Sequence, residues 1–389
     1  MAWRTTILAA VTLAFLATPA AAQLQGDAVQ VHGFAGWGYG KTDGNTYLLG
    51  TEDRSYDNVN FSLNLNATLS DRLMIAAQAE WHSEQGSTVT DLDYVFAQWK
   101  FSNALFLRIG QVQQPFGIYT EIYDVGTLRP FLKLPQGVYG PSSLIAESYL
   151  GAGVTGEYFT SNNWSIAYDA YVGELKTPFY HWIMNFDWQT GAPIDRSSTF
   201  DYTDVFGGRV VVGTPVTGLG FGASYYSGVP TGLENGSDAT SGFVMSGRRS
   251  ILGLQGEFNN DTWWIRGEWV SVVKGSTSVD GAEITGDTGY LEVAFKATEH
   301  WQLAARYDYQ TNNFGAGFDY GPEFSSLNDH KDIGFAVNYW FSPNLVIKTE
   351  YHRVEGNRFA DPGWDNFWEI IYGINDRTDL FQIGAQFSF

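Results

Sequence analysis

The sequence predicts an all-β protein: a transmembrane antiparallel β-barrel of sixteen strands with long extracellular loops and a third loop that folds inward. Three features of the 389-residue chain lead to this fold class. Apolar and polar residues alternate over strand-length segments, short and long connections alternate along the chain, and the last segment, 380–389, alternates up to a terminal Phe389. Such alternation indicates strands with one lipid face and one wet face.

The first 22 residues have the pattern of a cleaved export signal. Arg4 supplies a positive start, residues 7–16 form an apolar core too short to span a bilayer, and residues 20–22 form a small-residue cleavage site. We therefore expect residues 1–22 to be a signal peptide. Residues 23–389 should then form a single barrel domain in the outer membrane of a Gram-negative cell.

The amino-acid composition indicates which binding partners to expect. The chain has no cysteine, and its net charge of −20 becomes −21 when Arg4 leaves with the signal. A closed sheet is stable without disulfide bonds, and so large a negative charge argues against nucleic acid as a partner. The expected partners are outer-membrane lipid and lipopolysaccharide, with the barrel-assembly machinery acting during insertion on the strand that ends at Phe389.

The alternation is clearest in residues 58–70, where Val59 and Phe61 share one face and Asn60 and Ser62 share the other. Equivalent segments of about ten residues, the length of a tilted membrane strand, recur along the chain. The predicted strands are 29–40, 58–70, 72–82, 92–101, 105–111, 151–159, 164–172, 204–213, 219–227, 249–258, 263–274, 288–297, 301–310, 331–341, 344–354 and 380–389.

The connections between these strands predict the topology. Short turns are expected at 70–71, 102–104, 160–163, 214–218, 259–262, 298–300 and 342–343. Longer connections are expected at 41–57, 83–91, 112–150, 173–203, 228–248, 275–287, 311–330 and 355–379. Short periplasmic turns and long extracellular loops are typical of outer-membrane barrels, and sixteen strands leave an aqueous channel inside. Aromatic residues beside the short turns predict the periplasmic girdle: Trp164, Trp263, Trp301, Phe101 and Phe341.

A channel acts through the charges on its inner wall, and the alternation predicts which charges face inward. The bases are Lys100, Arg108, Arg209, Arg266, Lys296, Arg306 and Lys348. The acids are Glu80, Glu157, Asp169, Glu268, Glu292, Asp308 and Glu350. An alternative for each of them is a solvated or salt-bridged wall residue without a selective role.

The third connection, 112–150, is far longer than a hairpin loop, and loops of such length are usually functional. We expect it to fold into the lumen and bring charges near the wall: Glu121, Asp124, Arg129, Lys133 and Glu147. The predicted constriction therefore combines Arg108, Glu121, Asp124, Arg129, Lys133, Arg209, Arg266, Arg306 and Lys348. A surface cap or a subunit latch is the alternative for this loop.

The segment that leads into this loop resembles a known family. Residues 94–99 (Tyr-Val-Phe-Ala-Gln-Trp), 107–111 (Leu-Arg-Ile-Gly-Gln) and 115–117 (Pro-Phe-Gly) are similar to the phosphate-selective porin family and its relatives. The resemblance implies a sixteen-stranded trimeric channel with an inward third loop, and it carries over Arg108 as a wall charge. The family's basic constriction is not matched, because the third loop has two bases against three acids.

The expected function is a porin, a water-filled channel for passive diffusion of small hydrophilic solutes and ions. One alternative is a selective channel for phosphate or other anions, or for saccharides. The saccharide alternative depends on aromatic residues that crowd the fourth connection: Phe179, Tyr180, Trp182, Phe186 and Trp188. Another is a structural or adhesin barrel that conducts nothing. The six histidines form no metal-spaced pair, and no nucleophile motif with a neighbouring base is visible, so we predict no enzymatic activity, cofactor or metal.

Overall fold

The computed structural model describes residues 28–48, 50–51, 55–84, 87–142, 144–179, 198–234, 247–276, 283, 285–313, 326, 328–360 and 375–389. The predicted signal peptide, residues 1–22, lies outside the described residues. So do four aromatic residues of the fourth connection, namely Tyr180, Trp182, Phe186 and Trp188.

Sixteen long strands form a closed antiparallel sheet in this described part of the chain. They are Val29–Asp43 (β1), Ser55–Ser70 (β2), Leu73–Glu84 (β3), Ser87–Ser102 (β4), Leu105–Gln113 (β5), Ser148–Phe159 (β6), Ser165–Phe179 (β7), Ser198–Gly213 (β8), Leu219–Glu234 (β9), Arg249–Asn259 (β10), Trp263–Lys274 (β11), Thr285–Lys296 (β12), Trp301–Asn313 (β13), His330–Ser342 (β14), Leu345–Glu355 (β15) and Arg377–Ser388 (β16). A two-residue bridge, Gly50–Thr51, adds to β1.

Each strand pairs with the next along the chain, and the first strand pairs with the last. Phe34 stands opposite Ser388, and Asp43 stands opposite Asp379. The terminal Phe389 extends this seam, since its amide donates to the Gly33 carbonyl (2.8 Å) and its carbonyl accepts from the Gly33 amide (3.0 Å). Closure leaves no unpaired sheet edge, which is the condition for a sheet to cross a bilayer.

All sixteen predicted segments coincide with observed strands, but several strands run further at the long-loop end. The expected second connection, 83–91, was wrong in this respect, because β3 continues to Glu84 and β4 begins at Ser87. Beyond the bilayer both faces of a hairpin meet water, so the strands continue without the apolar alternation that marks a lipid face.

The two faces of the sheet differ as the alternation predicts. In β2, Phe61, Leu63 and Leu65 are exposed on the outside of the barrel, whereas Ser62 between them is buried inside. The aromatic residues predicted as a girdle are also exposed, at the strand ends beside the short turns: Trp164, Trp263, Trp301, Phe101 and Phe341. Among the described residues, no helix has the length and apolar character needed to traverse a bilayer.

The third loop, residues 114–147, folds into the barrel interior. It contains two short 3-10 helices, Thr120–Ile122 and Gly126–Leu128, and one short α-helix, Gln136–Tyr139. Its side chains form a core with inward side chains of the strands, for example where Tyr119 and Tyr139 lie against Tyr290 of β12. The inward fold predicted for this loop is therefore confirmed.

Candidate functional site

The Pro-Phe-Gly segment, residues 115–117, turns the chain from β5 into the lumen. Phe116 is fully buried and packs edge to face on Tyr226 of β9, with ring centroids 5.9 Å apart. Gly117 has a φ of +71°, a backbone conformation that favours glycine. A β-carbon there would overlap Glu268 and Tyr139. This motif is therefore explained by a tight turn packed directly against the wall.

After this turn the loop packs along one side of the barrel, strands β7 to β16, which we call the far wall. Arg209 of β8 donates to the Gly117 carbonyl (3.2 Å) and pairs with Glu121 of the loop (2.8 Å). Arg266 of β11 donates to the Leu128 carbonyl (3.1 Å). Backbone without regular structure requires such partners where it is buried against the wall, because water does not reach it there.

The second half of the loop is held in the same way by β13, β14 and β15. Asp308 accepts from the Gly137 amide (3.1 and 3.2 Å), and Arg306 donates to the Lys133 carbonyl (2.9 Å). Asn338 donates to the Pro130 carbonyl (2.8 Å). The inward charges of the far wall thus lie against the loop.

On the opposite side of the loop a cavity of about 650 Å³ remains open between the loop and strands β1 to β4, which we call the near wall. We call this cavity the passage. Five carboxylates line it, and two bases accompany them. The acids are Glu80, Asp91, Asp93, Asp124 and Glu147, and the bases are Arg129 and Lys133.

Four of these carboxylates form a tight group, with ligand oxygens all within 4.8 Å of one another: Glu80, Asp93, Asp124 and Glu147. The side-chain amide of Gln78 donates to Asp93 (2.8 Å) and to Asp124 (2.7 Å), and so connects β3, β4 and the loop. Among the described residues this group has a geometry that could hold a cation, since carboxylate oxygens are the ligands that hard cations prefer.

The loop carboxylates of this group are not ordinary acids. Burial raises the pKa of Asp124 to about 7, and the negative charge of Glu80 adds to the shift while Arg129 opposes it. Burial also holds the pKa of Glu147 well above its usual range, with Asp124 the next contributor. Closely spaced carboxylates shift one another in this direction because two like charges disfavour ionisation. The negative charge of the passage therefore depends on pH near neutrality.

The two bases of the passage are placed differently. The buried guanidinium of Arg129 donates to carbonyls of its own loop, Tyr123 (2.6 Å) and Leu132 (2.9 Å), which braces the loop. Lys133 is only partly buried and lines the passage.

The nine residues of the predicted constriction fall into three groups. Asp124, Arg129 and Lys133 line the passage. On the far-wall side of the loop, Glu121 pairs with Arg209. The four far-wall bases donate there to loop carbonyls: Arg209, Arg266, Arg306 and Lys348. Arg108 is apart from both, with Nε donating to Gln98 (2.8 Å) and its guanidinium 5.3 Å from the Phe96 ring. Their effect on ions stays a prediction.

Asp93 was missed by the alternation. The pairing of β3 with β4 shifts register between Gln78 and Ala79, because Gln78 stands opposite Tyr94 while Ala79 stands opposite Leu92. Asp93 is the extra residue of this β-bulge, and both Asp93 and Tyr94 are buried, at 4% and 6% exposure. Bulges reorient side chains in this way. A carboxylate on an apparent lipid position was the available signal.

Comparison with solved structures finds barrels of the same architecture. The outer membrane channel DcaP of Acinetobacter baumannii matches with a TM-score of 0.58 at 11% identity, over 93% of this chain and 97% of that chain. The anion-selective porin from Comamonas acidovorans matches with a TM-score of 0.56 at 9% identity, over 93% and 99%. OmpT of Vibrio cholerae in its trimer form matches with a TM-score of 0.55 at 14% identity, over 93% and 99%.

At these identities the similarity concerns the fold. No protein-family model matches the sequence, and no curated protein does either. The closed sixteen-stranded barrel with an inward third loop is the fold of outer-membrane porins. Its outward apolar residues, such as Leu63, Phe335 and Leu303, require lipid around the barrel, which places the protein in the outer membrane of the cell.

Proposed function

We propose that the protein is a general porin whose passage admits small hydrophilic solutes and favours cations. The observation that carries this proposal is the lining of the passage, where five carboxylates face two bases. One of these bases, Arg129, donates to two loop carbonyls. A low-dielectric neck lined by one sign of charge concentrates the field and raises the local concentration of counter-ions.

The far wall supports the same proposal because its charges compensate one another. Arg209 contacts Asp169 at 3.1 Å as well as Glu121, Arg266 contacts Glu257 at 2.5 Å, and Arg306 lies 3.6 Å from Glu292. Paired charges in contact contribute little net field at the distance of a passing ion. The carboxylates of the passage therefore dominate the field that we expect an ion to experience.

The deciding measurement is the conductance of the purified protein in planar bilayers, with the reversal potential in a KCl gradient. We expect ohmic channels and a reversal potential on the cation side, which weakens at 1 M salt because the screening length falls to about 3 Å. A protein that inserts but does not conduct would support a structural or adhesin barrel instead. A reversal potential that indicates anion selectivity would instead favour a channel for phosphate or other anions.

The proposal also includes the oligomeric state of the protein and its route to the outer membrane. A homotrimer follows from the resemblance to the phosphate-selective family and agrees with the trimer form of the Vibrio cholerae protein. Export through a signal peptide at residues 1–22, contact with lipopolysaccharide and insertion by the barrel-assembly machinery are part of the same proposal. Cross-linking of the purified protein in detergent, with a trimer band that disappears on boiling, tests the oligomeric state.

A further inference from the structure

In residues 126–132 of the third loop, the Gly126 carbonyl accepts from the Arg129 amide (3.4 Å), and the residues after Leu128 lie outside any helix or strand. This segment leaves a 3-10 helix at Leu128 and continues without a helix or strand before the short helix that begins at Gln136. Side chains take the place of a hydrogen-bond ladder, and many of them come from the far wall. A carbonyl left unsatisfied in such an interior is destabilising, so the segment depends on these donors.

Lys348 of β15 is the centre of this arrangement. Its side chain is completely buried, with 0% exposure. Its ammonium donates to the carbonyls of Gly126 (2.8 Å), Arg129 (2.7 Å) and Phe131 (3.1 Å). The side-chain oxygen of Gln386 on β16 also lies within hydrogen-bond distance of this nitrogen (2.6 Å), so four acceptors share its three protons. One wall cation thus gathers three carbonyls from six consecutive residues of the loop.

We propose that Lys348 is a positioning residue that fixes the third loop on the far wall and thereby sets the bore of the passage. The segment that it holds carries part of the passage lining, since Arg129, Leu132 and Lys133 border the cavity. A displacement of this segment therefore changes the width of the opening directly. The effect on the bore rests on the proposed pore function, whereas the contacts between Lys348 and the loop do not depend on it.

A neighbouring contact strengthens the argument. Glu350, two residues along the same strand and on the same face, accepts from the Leu132 amide (2.6 Å). The strand thus presents a cation to the loop carbonyls and an anion to a loop amide. This matching of donor and acceptor explains how β15 holds one particular loop conformation, whereas a lysine acting only as a wall charge would need no such contacts.

The test uses Lys348→Met, which keeps the length and removes the ammonium, in the full chain refolded from denaturant. We expect open-channel current noise to rise severalfold and liposome swelling to admit larger sugars than the parent barrel admits. Trypsin should cut the folded variant after Lys133, a bond that the parent loop protects, whereas Pro130 makes the bond after Arg129 resistant to trypsin. Lys331→Met is the matched control, because Lys331 is exposed on the neighbouring strand β14.

Chemical rescue separates positioning from a general folding defect. The chain has no cysteine, so Lys348→Cys offers a single thiol that 2-bromoethylamine converts, in the denatured chain, to a lysine analogue of nearly the same length. Noise, size limit and trypsin resistance should then return to parent values. The inference fails if Lys348→Met folds with unchanged noise, size limit and trypsin resistance, or shifts only the reversal potential.

The two proposals fail separately. Absence of conductance in the parent protein would refute the porin function, and the trypsin comparison would still decide whether Lys348 holds the loop. Conducting parent channels together with a trypsin-resistant Lys348→Met loop would refute the positioning role alone.

Discussion

The near wall and the far wall of the lumen are built from the same kind of alternating strand, yet their charges are in opposite situations. On the far wall, Arg209, Arg306 and Lys348 are buried and donate to loop carbonyls. On the near wall, Glu80 and Asp93 face a cavity together with loop carboxylates. An inward position therefore does not by itself assign a charge to ion selection, because the third loop decides which charges face the passage.

Substitutions on the two walls should therefore have different effects on the channel. Changes on the far wall should act on the position of the loop, and hence on bore and noise. Changes on the near wall should act on the field in the passage, and hence on the reversal potential. Each prediction below tests this separation with one change on one side.

The largest effect is expected from Gly137→Ala, on the far-wall side of the loop. A β-carbon at this position would overlap Thr288, Asp308 and the Tyr309 carbonyl, and Gly137 also donates its amide to Asp308. Overpacking of this kind destabilises a contact by about 1–3 kcal/mol. We expect noisier channels with an altered conductance and little change in ion preference.

Gly256→Ala is the control for this change, since a β-carbon there would meet only ordinary contacts with Phe221. The separation of the two walls would be contradicted if Gly137→Ala left noise and conductance at parent values. It would also be contradicted if the main change were a shift of the reversal potential.

The next effect is expected on the near-wall side, from Glu80→Gln combined with Asp124→Asn. A unit charge about 8 Å from an ion in water contributes about 0.5 kcal/mol, so removing two charges should lower the local cation concentration about fivefold. The reversal potential should move toward anions at pH 8, and the shift should be smaller at 1 M salt.

Asp261→Asn with Glu299→Gln removes the same charge from exposed short turns and serves as the control. Equal shifts for the two double variants would mean that the overall charge of the barrel matters and that the passage does not. An increase in noise without a shift would mean that Glu80 and Asp124 hold the loop instead.

The strands of the barrel could be predicted from the sequence, whereas the full lining of the passage could not. Period-two alternation determines which face of a strand meets lipid, so all sixteen strands and inward residues such as Arg209 and Lys348 could be predicted. Asp93 was not predicted, because strict alternation cannot accommodate the extra residue of a β-bulge, and its one trace in the sequence is a carboxylate on an apparent lipid position. The loop's docking side was also out of reach, since it depends on contacts such as Asp308 with Gly137 over a sequence separation of 171 residues.

A smaller effect is expected from pH. The pKa of Asp124 is raised to about 7, chiefly by burial, so this carboxyl is mostly neutral at pH 6 and mostly charged at pH 8. Rising pH therefore adds about one negative charge to the passage at Asp124, and the local cation concentration should increase about twofold on the estimate of 0.5 kcal/mol per charge. Reversal potentials at pH 6, 7 and 8 measure it. In Asp124→Asn the step should be reduced, and a step of the same size in that variant would assign the titration to another group.

The smallest effect is expected from Arg108→Gln, which tests a wall charge that belongs to neither side. Arg108 lines neither the passage nor the loop contacts of the far wall, and its guanidinium lies beside Gln98 and the Phe96 ring. Loss of this positive charge should move the reversal potential toward cations, because the remaining field becomes more negative. The shift should be below the roughly twofold effect of one charge at about 8 Å, since screening weakens a more distant charge. A shift as large as that of the Glu80 and Asp124 double variant would place the constriction at Arg108, and the distinction between near wall and far wall would then no longer describe ion selection.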